Sequence, residues 1–385
     1  VDVSTRSANW LKEARFVSQV LARAPAVDKT LRIERPEFQE RQRKLIAALA
    51  EAQIDAAFVY SDEHYDGDVP YLAGNTNISV EPVAGVIGRN GFHVLAGLEG
   101  GYVAEQLAGR SGAPVHKVEM LKLADEDYPI EAERVEDVIE EAAGGKPRTV
   151  GLLTPRAVFP LAIFEFLSRY LGPGGRIVDA QELYYRIKYE KSKREMELIA
   201  QAGLICDALL EGMLGVMRPG LLETQVAAWG YAIAKELGSE EMGFDVMVTA
   251  GEANRTLIGK ALNLPIREGD VVHLGVGPKC DGLNACERLS VVCAKSPAGV
   301  SAEQLLVPVR GRGLPRRPGC LPQGGQRGPP RQAAGAGPGG LLQIPGAGGG
   351  RPHRRQGGPG PAEAVHRDAQ LRLHGMPGVL RGHHP

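Results

Sequence analysis

Apolar positions recur at helical spacing over residues 38–52, which predicts an amphipathic helix, and the run IDAAFVY at 54–60 then reads as a short buried strand with Asp55 at its entrance. Residues 71–74 read as a turn. Two further strands, 82–89 and 92–96, flank Asn90-Gly91, a step that suits a tight hairpin because both residues tolerate positive φ. Beyond it the pattern predicts a charged helix over 130–141, a strand at 149–153, a helix at 160–171 closed by Gly172-Pro173-Gly174, and a strand at 177–179. Helix and strand alternate throughout, so this half reads as an α/β domain.

Residues 183–194 lie between the halves. A long helix follows over 195–212, with Met196, Ile199, Ala202, Ile205 and Leu209 along its face, and Met217-Arg218-Pro219-Gly220 stops the element. The next helix spans 222–237, with Glu223 and Thr224 near its start and Gly238 at its end. A strand at 244–249 leads to a Gly-rich loop at Gly251. The turn Arg267-Glu268-Gly269-Asp270 opens a strand at 271–277 with a return strand at 283–294. Two helices followed by an antiparallel sheet describe a second, α+β domain that the remaining sequence does not complete.

Composition changes the picture after residue 305. Residues 306–385 hold 20 Gly, 13 Pro and 12 Arg, no Lys or aromatic residue, and two acids, Glu363 and Asp368. Such a stretch buries too little apolar surface to offset the entropy of ordering its backbone. It reads as a wrong-frame translation in a GC-rich gene, because codons for Gly, Pro, Arg and Ala consist largely of G and C. Leu341-Leu342-Gln343-Ile344-Pro345 can be coded so that a start one nucleotide later reads Tyr-Phe-Lys-Ser. Genuine Gly/Pro/Arg-rich disorder is the rival reading. The domain boundaries expected are therefore 1–34 (extension), 35–180 (α/β), 181–305 (α+β, incomplete) and 306–385 (tail).

The formal net charge is −1, with the tail strongly basic and the first 305 residues acidic, which argues against nucleic acid as the main partner. No secretory signal and no apolar run of membrane-spanning length is visible, so a soluble, cytoplasmic protein is expected. Five cysteines (206, 280, 286, 293, 320) without CxxC spacing suggest reduced thiols. The cluster Asp62, Glu63, His64, Tyr65, Asp66 lacks metal-ligand spacing, and Gly97, Gly100 and Gly101 do not form a nucleotide fingerprint.

Four segments in order, IKYEKSKREMELIAQA, VMRPGLLETQVAA, FDVMVTAGEANR and IREGDVVHLGVGPKCDG, resemble the creatinase and Xaa-Pro peptidase family. The resemblance implies an α/β fold class: a creatinase-like N-terminal α/β domain followed by an incomplete pita-bread α+β domain. It also implies a site of two aspartates, a histidine and two glutamates around two metal ions. Here Gly275 stands at the first aspartate position and Cys286, eleven residues on, at the second; the loop position of the histidine falls near Ile258. Glycine supplies no ligand, so neither a metal nor a cofactor is expected.

Side chains alternate along strands, so His273 shares a face with Gly275 and Gly277, and Asn284 and Arg288 share one with Cys286. The catalytic candidates are His273 as base or substrate donor, Cys286 as nucleophile, and Arg288 as a fork for a planar anionic group. For each a plain structural role stands open beside it: a satisfied sheet histidine, a small core thiol, a solvent-facing pair. By the resemblance, Glu252, Asn254 and Arg255 lie where the family keeps substrate-side groups, Asn284 shares the face of Cys286, and the region of His64 reaches a partner subunit's pocket. The leading function is a metal-independent hydrolase of a small C–N bonded substrate, with a homodimer implied by the family if the second domain is intact, and no membrane partner. An Xaa-Pro metallopeptidase and an inactive binding protein are the alternatives.

Overall fold

The computed structural model describes residues 3–74, 80–123, 129, 131–254 and 258–294. Helix α1 (Val3–Arg23) leads to α2 (Arg35–Glu51), where a proline in the first turn costs no hydrogen bond and Phe38, Leu45 and Leu49 form the buried stripe. A six-stranded sheet follows, from β1 (Ala56–Ser61), β2 (Val83–Gly88), β3 (Gly91–Ala96), β4 (Val115–Lys117), β5 (Thr149–Leu152) and β6 (Arg176–Asp179), in the order β4-β3-β2-β1-β5-β6. The β2–β3 pair is the expected Asn-Gly hairpin, with Gly91 at φ 133°.

Apolar residues cover both faces of this sheet. On one, α2, α3 (Asp68–Ala73) and α7 (Gln181–Tyr189) bring Leu45, Leu72 and Tyr184 against Val59 and Ile87. On the other, α5 (Val135–Ala143) and α6 (Leu161–Leu171) bring Ile139 and Leu167 against Phe58 and Leu95. Helix α4 (Gly100–Ala108) lies along β3 and β4. The end of β2 approaches α5 so closely that a Cβ at Gly88 would meet the Ala142 carbonyl oxygen at 2.4 Å, which explains glycine there.

The second half is built on α8 (Lys193–Val216). Its start is a capping box: Ser192 Oγ accepts from the Glu195 N–H at 3.0 Å, and the Glu195 carboxylate accepts from the Ser192 N–H at 2.8 Å. Alone among the described helices, α8 is long and apolar enough to cross a membrane. Its Leu198, Ala202, Ile205 and Leu209 instead join a core with α9 (Glu223–Glu236), the Val17 and Val20 of α1, and one face of a three-stranded antiparallel sheet. That sheet has the order β11-β8-β7, from β7 (Met247–Ala250), β8 (Asp270–Val276) and β11 (Glu287–Cys293); β9 (Lys279–Cys280) and β10 (Leu283–Asn284) form a separate small hairpin.

Several elements differ from the sequence pattern. Residues 71–74 end a short helix instead of forming a turn, because Ser61 Oγ accepts from the N–H groups of Asp68 and Val69 and starts it. The stretch between the halves is largely α7, whose Tyr184 is fully buried and donates to the Asp68 carbonyl at 2.6 Å. Met196, placed on the buried stripe of α8, is 54% exposed, and the stripe runs through Leu198. The return strand over 283–294 is broken at Ala285 and Cys286 into β10 and β11. The described part of the helix expected at 130–141 begins at Val135.

Candidate functional site

Successive residues of β8 face opposite sides of its sheet. Val272, Leu274 and Val276 join the core under the helices, so His273 and Gly275 belong to the other face. Register then fixes their neighbours. His273 pairs with Thr249 of β7 and Ser290 of β11, making a polar row across three strands; Gly275 pairs with Met247 and Arg288, making the next row.

His273 is buried, and its Nδ1 stands 3.2 Å from Ser290 Oγ while Nε2 has no hydrogen-bond partner. Burial, aided by the Arg288 charge, holds its pKa below the ordinary histidine value, so the neutral imidazole persists. One ring nitrogen thus stands beside a hydroxyl while the other is buried without a partner. Arg288 is exposed, and its guanidinium lies 5.7 Å from the centre of the Phe244 ring. Cys286 is exposed just before β11.

Glu252 is exposed on the 3-10 turn Gly251–Ala253. Asn254 ties that turn to the sheet: its Oδ1 accepts from Thr249 Oγ1 at 3.3 Å and its Nδ2 donates to the Val271 carbonyl at 3.1 Å. Arg255 lies outside the described residues. Asn284 lines a cleft of about 230 Å³ with Phe38, Arg41, Tyr71, Lys188 and Lys191, whose lining includes neither His273 nor Arg288. His64 is exposed on the loop after β1, held by its N–H to Asp62 Oδ1 at 2.9 Å. The structure thus gathers His273 and Arg288 on one face, with Asn254 at its margin, and sets Asn284 in a separate cleft.

Two participants escaped the sequence pattern. Ser290 orients His273 through register alone. Glu223 is fully buried, and its carboxylate accepts the backbone N–H of Ala250 at 2.7 Å and of Leu262 at 2.9 Å, fixing both ends of the loop that carries Glu252 and Asn254. An acid in the first turn of a helix is a common pattern and by itself did not single out this one.

The donor set does not match two bridged metal ions. Gly275 offers no side-chain donor, and a Cβ there would meet Met247 at 3.3 Å; Cys286 offers a thiol in place of a carboxylate. These two positions do not fit the dinuclear centre.

An α/β half followed by two helices and an antiparallel sheet defines a pita-bread fold. Residues 197–305 match the model of metallopeptidase family M24. That match, over little more than a quarter of the chain, agrees with the resemblance to the creatinase and Xaa-Pro peptidase family. It is 26% identical over 246 residues to the "Putative dipeptidase YkvY" of Bacillus subtilis (strain 168), a match spanning 63% of this chain and 62% of that relative, so it covers less than two thirds of the relative's length. Among solved structures it is similar to the prolidase from Pyrococcus horikoshii OT3, with TM-score 0.53 and 18% identity over 67% of this chain and 66% of that one. It is also similar to the X-Pro aminopeptidase from Thermotoga maritima MSB8, with TM-score 0.53 and 20% identity over 65% and 64%.

Proposed function

We propose that this protein is a hydrolase of small C–N bonded substrates that works without the family's two-metal centre. The observation that carries the reading is the polar row at His273, adjoining a row in which glycine stands at an aspartate position. His273 acts as the base once its buried ring is reached by substrate, Ser290 holds the ring, and Arg288 receives the substrate's carboxylate or another planar anionic group. Asn254 and Glu252 border the substrate, and Cys286 lines its approach or attacks it as nucleophile. The protein acts in the cytoplasm, as a homodimer where its second domain is complete, with His64 and Asn284 addressing substrate or the partner subunit; light scattering should then give a dimer mass, and aggregation for the chain that carries the 306–385 tail. Neither nucleic acid nor membrane takes part.

The family match favours a second reading, an Xaa-Pro metallopeptidase. Assays of the full chain on guanidino-type amides and Xaa-Pro dipeptides, with and without a chelator, separate the two. The metal-independent reading expects turnover that resists chelation and falls by more than about 10-fold in His273→Ala and in Arg288→Ala with the thermal midpoint nearly unchanged. Turnover that needs added manganese and survives His273→Ala supports the metallopeptidase. A folded protein with no turnover on either substrate supports a binding role.

A further inference from the structure

Far along the chain from this face, the α/β half holds two buried histidines in contact. His93 of β3 and His116 of β4 are 5% and 7% exposed, with His93 Nδ1 3.0 Å from His116 Nε2 and the rings stacked at 5.2 Å. They sit at the edge of the apolar layer that α5 makes with Val86 and Leu95. Burying two imidazoles among such residues is costly unless their nitrogens are engaged.

The far side of His116 fixes the arrangement. Its Nδ1 lies 2.8 Å from Glu133 Oε2, and the Glu133 N–H donates to the Lys117 carbonyl at 2.8 Å, so that carboxylate is anchored beside β4. A carboxylate accepting from Nδ1–H leaves Nε2 with its lone pair, aimed at His93. Glu141 of α5 brings a carboxylate oxygen to the same point, all three ligand atoms lying within 4.8 Å of one another. Its backbone is held as well, since Asn90 in the β2–β3 turn donates its side-chain amide to the Glu141 carbonyl at 2.8 Å and its N–H to the Ala142 carbonyl at 3.0 Å.

We propose that His93, His116 and Glu141 bind one zinc-type divalent cation, with Glu133 as the carboxylate that orients His116. Two imidazoles and a carboxylate are zinc ligands, and tetrahedral zinc with bonds of about 2.0–2.1 Å needs donors roughly 3.3 Å apart. The two nitrogens already meet that spacing to within a few tenths of an ångström, and the exposed Glu141 side chain swings in to close the third position. A carboxylate behind a ligating imidazole fixes the tautomer and raises its basicity. The cation would fasten β4, a three-residue edge strand paired only to β3 among the described strands, to the helix above it. This site uses none of the residues of β8 and β11, so it stands or falls apart from the proposed hydrolase.

The test is titration of the chelator-stripped full chain with zinc and with cobalt under reducing conditions. One equivalent is expected to bind, and its cobalt form to show visible ligand-field bands without thiolate charge transfer. His116→Gln should abolish that equivalent, and Glu133→Gln should weaken it by about 10–100-fold. Glu141→Gln, at an exposed position that does not endanger folding, should weaken zinc binding by at least about 10-fold. Zinc affinity unchanged in Glu141→Gln, a thiolate band in the cobalt spectrum, or no bound equivalent would each overturn the site.

Discussion

Arg110 forks onto Asp281, Nη1 to Oδ2 at 3.0 Å and Nη2 to Oδ1 at 2.7 Å, and the same Oδ2 accepts the Ile33 N–H at 2.8 Å. The pair joins the loop after α4 to the tip of the β9–β10 hairpin, and the Asp281 side chain is only 3% exposed. Arg110→Ala should therefore cost about 3 kcal/mol or more, because it leaves a buried carboxylate without its cation. Adding Asp281→Asn should recover much of that loss, since asparagine keeps the Ile33 bond and tolerates the φ of 49° found there. Urea midpoints of the single and double variants decide the matter, and equal losses would show that the charge is not what matters.

His273 gives a pH dependence of known sign. Burial and Arg288 lower its folded-state pKa, so the unfolded chain binds more protons than the folded one between that value and the ordinary histidine value. Its contribution is complete above about pH 6.5 and is lost as pH falls through the lowered folded pKa. His273→Gln should flatten this limb of the stability curve, measured in chelator-treated buffer. A variant whose curve overlays the parent's would remove the assignment.

Gly275→Asp with Cys286→Asp should not by itself create strong peptidase activity. The Cβ that the first substitution adds would press on Met247, and a two-metal centre also needs its other ligands and their supporting hydrogen bonds, loss of which typically costs about 10–100-fold. Robust Xaa-Pro cleavage by the double variant with added manganese would refute this.

The tail is tested at the gene. Correcting a displaced nucleotide near the codons for residues 306–310 should replace the Gly/Pro/Arg-rich stretch with aromatic- and acid-containing segments. Resequencing that confirms every residue to Pro385 would retire the frame reading and leave genuine low complexity.

Much of the fold was legible where the signal is local. Asn90-Gly91 announces its hairpin because the turn itself demands those residues, and the apolar stripe of α8 survives although one of its positions, Met196, faces water. Helix α3 was not legible: six residues are too short for periodicity, and its start is capped by Ser61 from a preceding strand. The same limit applied to the site. Alternation placed His273 and Gly275 on one face, but the break at Ala285 and Cys286 shifts what lies opposite, so Ser290 as the neighbour of His273 could be found only from the strand register.

Glu223 has a consequence for how this chain tolerates change. One carboxylate clasps the backbone at Ala250 and at Leu262, so the span between them is anchored at its feet by a side chain outside it. Replacements within the span can then alter its surface while Ala250 and Leu262 stay put, much as an interchangeable cartridge sits in a fixed socket. Variation that would elsewhere disturb the framework is confined here to the loop, and the core need not be rebuilt around it.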